Sequence, residues 1–197
     1  MTEAHLHLTA PSPFVARFAS LVPGGGTVLD LAAGRGRHAR FFAARGHPVL
    51  AVDRDLQALA SLEGLERVKT LCADLEGGPW PCGSARFEAV VVTNYLHRPL
   101  FGTIEAALAE GGVLLYETFM RGQERWRKPS RPEFLLEPGE LLRAFPALSV
   151  IAFEQGRVEA PFAAVVQRLC AVKGRRPQAV LLPEGQPQPA SGVEAVR

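Results

Sequence analysis

At 197 residues the chain suits one compact domain with a loose end, and its 47% hydrophobic and 21% charged residues exclude wholesale disorder. A formal net charge of +2 and a pI of about 8.6 are too mild for the strongly basic face that a nucleic-acid partner demands, so none is expected. Three cysteines (Cys72, Cys82, Cys170) without a Cys-x-x-Cys pair suggest neither a disulfide framework nor a thiolate metal site. No run approaches the roughly 18 apolar residues of a membrane span, and the first residues lack a signal-peptide pattern; a cytoplasmic protein is expected.

After Pro11 and Pro13, Phe14, Phe18 and Leu21 recur at helical spacing, which predicts a helix over 12–22. Pro23 and Gly24 to Gly26 stop it. Thr27 to Leu31 reads as a short buried strand interrupted by Asp30, Ala33 to Arg37 as a glycine-containing turn, and Ala39 to Ala43 as part of a helix ending near Gly46. Pro48 to Val52 is the second strand. Asp55 caps a helix with the apolar stripe Leu56, Leu59, Ala60 and Leu62. Val68 to Cys72 is the third strand, 73–86 an irregular connection, and Phe87 to Thr93 a central buried strand. A helix over 99–108 precedes a fifth strand, Val113 to Thr118.

Residues 119–136 make a long polar connection of the kind that is often functional. A short helix over 138–145 follows. Leu148 to Phe153 and Phe162 to Val172 are two last strands turned near Gly156; with no helix between them they pair antiparallel. Strands alternating with helices give an α/β fold, a Rossmann-like three-layer sandwich with a seven-stranded sheet whose last strand is antiparallel. Ligands bind such sheets at the carboxyl ends of the strands. The expected organisation is an N-terminal helix and its lead-in over 1–26, one domain over 27–173, and a flexible tail over 174–197.

The strongest local signal is Val28-Leu29-Asp30-Leu31-Ala32-Ala33-Gly34-Arg35-Gly36-Arg37, followed by Ala51-Val52-Asp53 at the end of the next strand. Gly34 and Gly36 let the backbone approach a ligand with no Cβ in the way, at the start of a helix. Asp53 is placed to accept two hydrogen bonds from a ribose diol; no structural partner is expected for it, since Arg54 points to the opposite face. Gly34-Arg35-Gly36-Arg37-His38-Ala39 also satisfies the nicotinamide fingerprint GxGxxG/A, so an NAD(P)-dependent oxidoreductase stands as the alternative. A non-catalytic cofactor-binding module is the other.

With an acid, then glycines at alternate positions after a hydrophobic strand, the chain resembles the class I S-adenosylmethionine methyltransferases over residues 27–172 or so. The resemblance implies a methyl transfer to a small acceptor, with S-adenosylmethionine as cofactor. It gives Asp30, Ala32, Gly34 and Gly36 the methionyl end of the cofactor, Ala32 standing where the family commonly has glycine. Asp53 matches the ribose-binding acid. Asp74, in Cys72-Ala73-Asp74-Leu75, matches the acid that faces the adenine amino group, and Arg54, Leu75 and Asn94 complete the expected set at the same strand ends. The closing hairpin is also similar to the family's last two strands.

Candidates to face the methyl group lie after the fourth and fifth strands: Tyr95, His97 and Glu117. His97 has an unperturbed pKa near neutrality and is read either as a base or as a capping residue. Glu117 is read either as a site acid or as a group held by an arginine. Asn94-Tyr95 lacks the prolines of the Asn-Pro-Pro-Tyr motif of amino-group methyltransferases, and that substrate class is not carried over. The loop from Arg121 to Arg131 carries five basic residues and one acid, so Arg121, Arg125 and Trp126 are candidate contacts for an anionic substrate under a mobile lid. Glu117-Thr118-Phe119, with Pro129 to Leu136 and Gly139-Glu140-Leu141 downstream, is similar to small bacterial tellurite-resistance-type methyltransferases, which transfers no substrate.

Overall fold

The structure, a computed structural model, describes residues 9–174; all but Gly174 of the expected tail lies outside the described residues. The chain enters through α1 (Pro13–Phe18), whose cap is Ser12: its Oγ accepts the N–H groups of Phe14 and Val15 at 3.2 and 3.4 Å. The helix predicted to reach Val22 tightens after Phe18 into a 3₁₀ turn, Ala19–Leu21. There follow β1 (Val28–Leu31), α2 (Arg37–Ala43), β2 (Val49–Asp53), α3 (Leu56–Ala60), β3 (Val68–Cys72) and β4 (Phe87–Thr93). Asp55 caps α3 as expected, accepting the Ala58 N–H at 3.1 Å. The chain continues through α4 (Phe101–Ala107), β5 (Leu108–Phe119), α5 (Glu140–Ala144), β6 (Leu148–Val158) and β7 (Ala164–Lys173).

The seven strands run in the order β3-β2-β1-β4-β5-β7-β6. All pairs from β3 to β5 are parallel, and β7 lies antiparallel between β5 and β6, so six strands share one direction and the last opposes them. Alternating side chains build a core on each face. Leu29, Leu31, Val90, Val92, Leu114 and Tyr116 point toward α4 and α5. Val28, Ala89, Val91, Val113, Leu115 and Cys170 point toward α1, α2 and α3, where Phe14, Phe18 and Phe42 cover them. Each fully buried Leu or Phe contributes about 1.5–3 kcal/mol.

Two strand limits differ from expectation. β5 begins at Leu108 rather than Val113, because Leu108 pairs with Phe87 and the Gly111-Gly112 segment is absorbed as a register shift before Val113 meets Ala89. The β6–β7 turn spans 159–163 rather than Gly156, which sits mid-strand opposite Val166. Pro161 within that turn has no N–H to give a ladder. The connection after β5 is tied down rather than free: Gln123 is wholly buried, its Oε1 accepts the Val165 N–H at 2.8 Å, and its Nε2 donates to the Arg127 and Lys128 carbonyls at 3.4 Å.

The turn after β1 stores the clearest backbone strain. Ala32 has a φ of +53°, a left-handed conformation that costs an L-residue about 1–2 kcal/mol. Ala32→Gly is therefore expected to stabilise the ligand-free protein by about 1 kcal/mol, read as a melting temperature roughly 2–4 °C higher. Gly36→Ala should do the reverse and melt lower. Its φ is +71°, and an added Cβ would lie 2.4 Å from the Leu62 methyl carbons.

Candidate functional site

Beyond β1 the chain passes through three left-handed residues, Ala32, Gly34 and Gly36. The two glycines have different reasons. A Cβ on Gly34 would meet nothing within 4 Å, so this backbone faces open space at the carboxyl end of the sheet. Gly36, in contrast, lacks a side chain because Leu62 packs against it, which corrects the reading that both glycines clear room for a ligand. Asp53 holds the turn: its Oδ2 accepts the Gly34 N–H at 2.7 Å and its Oδ1 the Asp55 N–H at 2.9 Å. It thus has the structural partners that local spacing did not reveal. The carboxylate remains half-buried rather than enclosed, and each oxygen keeps a lone pair.

Asp74 follows β3 on the surface, where its Oδ1 accepts the Glu76 N–H at 3.0 Å. Hydrogen bonds from the Glu76 and Gly77 backbone hold its carboxyl below the usual range, helped by the charges of Arg54 and His97. Leu75 beside it is buried. Asn94 turns the chain at the end of β4 with a φ of +56°, and its N–H reaches the Glu117 carbonyl at 2.9 Å. Tyr95 follows with a hydroxyl that is buried without a hydrogen-bond partner. Burial, with Glu76 and Asp74 nearby, pushes its phenol up. Tyr95 and His97 thus lie near Asp74, within reach of the charges there.

A second group sits on the α1–α2 face. Asp30 is buried and its Oδ2 accepts the Ala39 N–H at 3.0 Å, joining β1 to α2. Burial raises its carboxyl to about 7, against the Ala39 hydrogen bond and the Arg37 charge. The neighbouring His38 is buried and pushed down to about 3 by desolvation and by Arg37. It stays neutral: its Nε2 accepts the Ser12 N–H at 3.1 Å, and Nδ1 lies 3.4 Å from the Thr93 hydroxyl. The Ser12 hydroxyl donates to Glu117, whose Oε2 is also 3.4 Å from Arg168 Nε. Arg168 in turn meets Glu154 at 3.0 Å. Glu117 is therefore a group held by an arginine, and Ser12, Arg37, Asn94, Glu117 and Arg168 line one wall of a narrow pocket of about 10 Å³, room for about one water.

Sequence reading missed Ser12, His38 and Arg168. It also missed Arg98, whose guanidinium forks onto Glu140 at 2.6 and 3.0 Å and donates to the Glu133 and Leu135 carbonyls at 2.9 Å, tying the β4 turn to the segment before α5. The Glu117–Arg168 pair had a signal, since the two residues are directly opposite once β5 and β7 are paired antiparallel. The loop candidates lie elsewhere. Arg121 pairs with Glu137 at 2.8 Å, Arg125 is exposed on a 3₁₀ turn, and the half-exposed Trp126 carries the Arg157 guanidinium 3.8 Å from its ring centroid. None of the three lines the pocket.

Because the folded chain holds a proton on Asp30 up to about pH 7, which an unfolded chain releases near 3.8, this group lowers stability progressively between those values and uniformly above them. Asp30→Asn is thus expected to gain on the parent protein from about pH 4 to pH 7 in denaturant melts and to keep a constant advantage at higher pH. A gap that does not change with pH would show that Asp30 ionises normally.

The chemistry of the strand ends fits an adenosine-bearing ligand. The Gly34 backbone opens onto free space, and the Asp53 and Asp74 carboxylates offer acceptors to hydroxyl and amino groups on adjacent strands. Residues 28–112 match the family described as a methyltransferase domain. No curated protein matches the sequence. Among solved structures, TehB from Haemophilus influenzae is similar at 18% identity and a TM-score of 0.67, over 79% of this chain and 60% of that one; this chain thus spans less than two thirds of its length. A TehB-like S-adenosylmethionine-dependent methyltransferase from Corynebacterium glutamicum aligns at 17% identity and a TM-score of 0.62, over 82% and 88% of the two chains. The glycopeptide N-methyltransferase MtfA, in complex with S-adenosylmethionine, aligns at 22% and 0.60, over 84% and 95%. These likenesses give the fold, and the family match gives the domain. Residues 28–112 thus match a methyltransferase domain, and the chain shares the fold of S-adenosylmethionine-dependent methyltransferases.

Proposed function

We propose that the chain methylates a small molecule bound at the carboxyl ends of β1, β4 and β5, beside a cofactor held by the turn after β1. The observation that carries the site is the half-buried Asp53 carboxylate, fixed by two backbone N–H groups next to the open Gly34. Asp53 takes the ribose diol, Asp74 and Leu75 the adenine, and the Gly34 backbone with Asn94 the methionyl end. Ala32 and Gly36 shape the turn rather than touch the ligand. Asp30 stands behind it through the Ala39 N–H, and Arg54 stays beside Asp74. The buried Tyr95 hydroxyl, near Glu76 and Asp74, gives the adenine side an unused hydrogen-bonding group.

S-adenosylmethionine supplies a methyl group already activated on a sulfonium, so aligned approach does most of the work. The residues of the chain position rather than deprotonate. Glu117 is occupied by Ser12 and Arg168, and the neutral His38 by the Ser12 N–H, so neither is free to take a proton. The exposed, unpaired Cys72 supports a reducing, cytoplasmic setting.

Calorimetric titration with S-adenosylhomocysteine and, separately, NADH tests the reading. The first should bind and the second should not; NADH binding would overturn it in favour of an oxidoreductase. Asp53→Ala should weaken S-adenosylhomocysteine on the order of 100-fold, the loss of two charge-assisted hydrogen bonds worth about 3 kcal/mol. It should also melt a few degrees lower, because the Gly34 and Asp55 N–H groups lose their acceptor. Undiminished affinity would confine Asp53 to its structural role.

A further inference from the structure

Two connections meet beyond the carboxyl ends of β4 and β5, and one side chain joins them. The turn after β4, residues 94–97, is pinned in front: the Asn94 N–H reaches the Glu117 carbonyl at 2.9 Å, and the buried Tyr116 hydroxyl donates to the Tyr95 carbonyl at 3.1 Å. Behind, the pin is Arg98. Its Nε and Nη2 fork onto Glu140 at 2.6 and 3.0 Å, while Nη1 and Nη2 donate to the carbonyls of Glu133 and of the buried Leu135, each at 2.9 Å. Glu140, the first residue of α5, is held in turn, since its Oε2 accepts the Glu137 N–H at 2.7 Å. An exposed ion pair contributes little, but Glu140 has a side chain only 16% exposed, and the planar guanidinium is fixed in two directions at once. Between the two pins stands Tyr95. Its hydroxyl is buried with no hydrogen-bond partner among the described residues, within reach of the charges of Glu76, Asp74 and Arg54. A buried hydroxyl left unpaired costs free energy, so a turn that holds one there asks for a partner from outside the chain.

We infer that Arg98 is a positioning residue for the cofactor: it holds the far end of the β4 turn so that the Tyr95 hydroxyl stays where a ligand beside Asp74 completes its hydrogen bonding. The Arg98 guanidinium is already spent on Glu140 and two carbonyls, so it acts through the turn rather than on the ligand. A lysine cannot do the same. One ammonium can meet Glu140, but it has no fork with which to hold that carboxylate and reach both carbonyls as well. This role deepens the proposed cofactor site and rests on that reading, because it takes the unused Tyr95 hydroxyl to serve the adenosine.

The test is a double-mutant cycle on the full chain, read by calorimetric titration with S-adenosylhomocysteine and, separately, by melting curves. Tyr95→Phe should weaken binding about three- to tenfold, the loss of one hydrogen bond, and Arg98→Lys by a similar factor. Combined, the two should weaken it no further than either alone, because both remove the same bond to the ligand. Lys173→Met, which frees the Glu105 and Leu108 carbonyls far from this turn, should melt lower and bind like the parent protein. If Arg98→Lys folds poorly, Glu140→Gln supplies the second variant: it weakens the fork, leaves the two carbonyl bonds, and should cost less affinity, again only while Tyr95 is present. Arg98→Lys that melts lower yet binds like the parent protein overturns the inference, as does a double variant whose losses multiply or a Tyr95→Phe variant with undiminished affinity. Failure of the parent protein itself to bind S-adenosylhomocysteine sinks the cofactor reading and this role with it, whereas the preceding outcomes sink the role of Arg98 alone.

Discussion

Two carboxylates hold the turn on which this molecule depends. A chain that leaves a buried strand through left-handed residues points its N–H groups away from the sheet, and each needs an acceptor. The β1–β2 register supplies one: Leu31 is opposite Val52, so Asp53 arrives beside Ala32 and reaches the Gly34 N–H. Asp30, one residue before the end of β1, supplies the other by taking the Ala39 N–H of α2. The first bond fixes the opening at Gly34, and the second fixes the helix that begins with Arg37. The turn and the helix that follows it are therefore set by acids on neighbouring strands.

The charged row on the α1 face follows from strand parity. Val113, Leu115 and Glu117 share the face of β5 that looks toward α1. Arg168 lies opposite Glu117 on β7, and Glu154 lies opposite Arg168 on β6, so three strands present an alternating row of charge that Arg17 of α1 extends. Both members of the inner pair are nearly enclosed, with side chains 11% exposed. Removing one partner from such a pair costs about 3–5 kcal/mol, because the other charge is left without its counterpart. Ser12 closes the row by capping α1 and donating to Glu117 from the same hydroxyl.

The sequence made the layers legible wherever the signal was local. Apolar runs gave the strands, Asp55 its cap, and the missing helix after β6 the antiparallel pairing. Asp30, Asp53 and Asp74 could be placed on strand ends because each follows its apolar run directly. What escaped depends on pairings between distant segments. The start of β5 is decided by Phe87 meeting Leu108 across a register shift, and the hairpin turn by where the ladder runs out rather than by its glycine. The basic loop read as a mobile lid for want of any local sign that Gln123 bonds to Val165. Arg37 looked like one more charged residue of a helix start. Only the packing of α1 over β5 gives it a pocket to face.

The place of β7 has a consequence for how the molecule is made. Because β7 is inserted between β5 and β6, β5 has only β4 beside it and β6 has no partner until the chain has been synthesised through Lys173. β1 to β4, in contrast, can pair as soon as they emerge, together with the turn that Asp30 and Asp53 hold. Vectorial synthesis thus completes the β1–β4 part of the sheet first and leaves β5 with an open edge and an unsealed apolar flank until the last strand arrives. The lysine that ends β7 donates to the Glu105 and Leu108 carbonyls, where α4 meets β5, so the final residue of the sheet fastens the junction that waited longest for its partner.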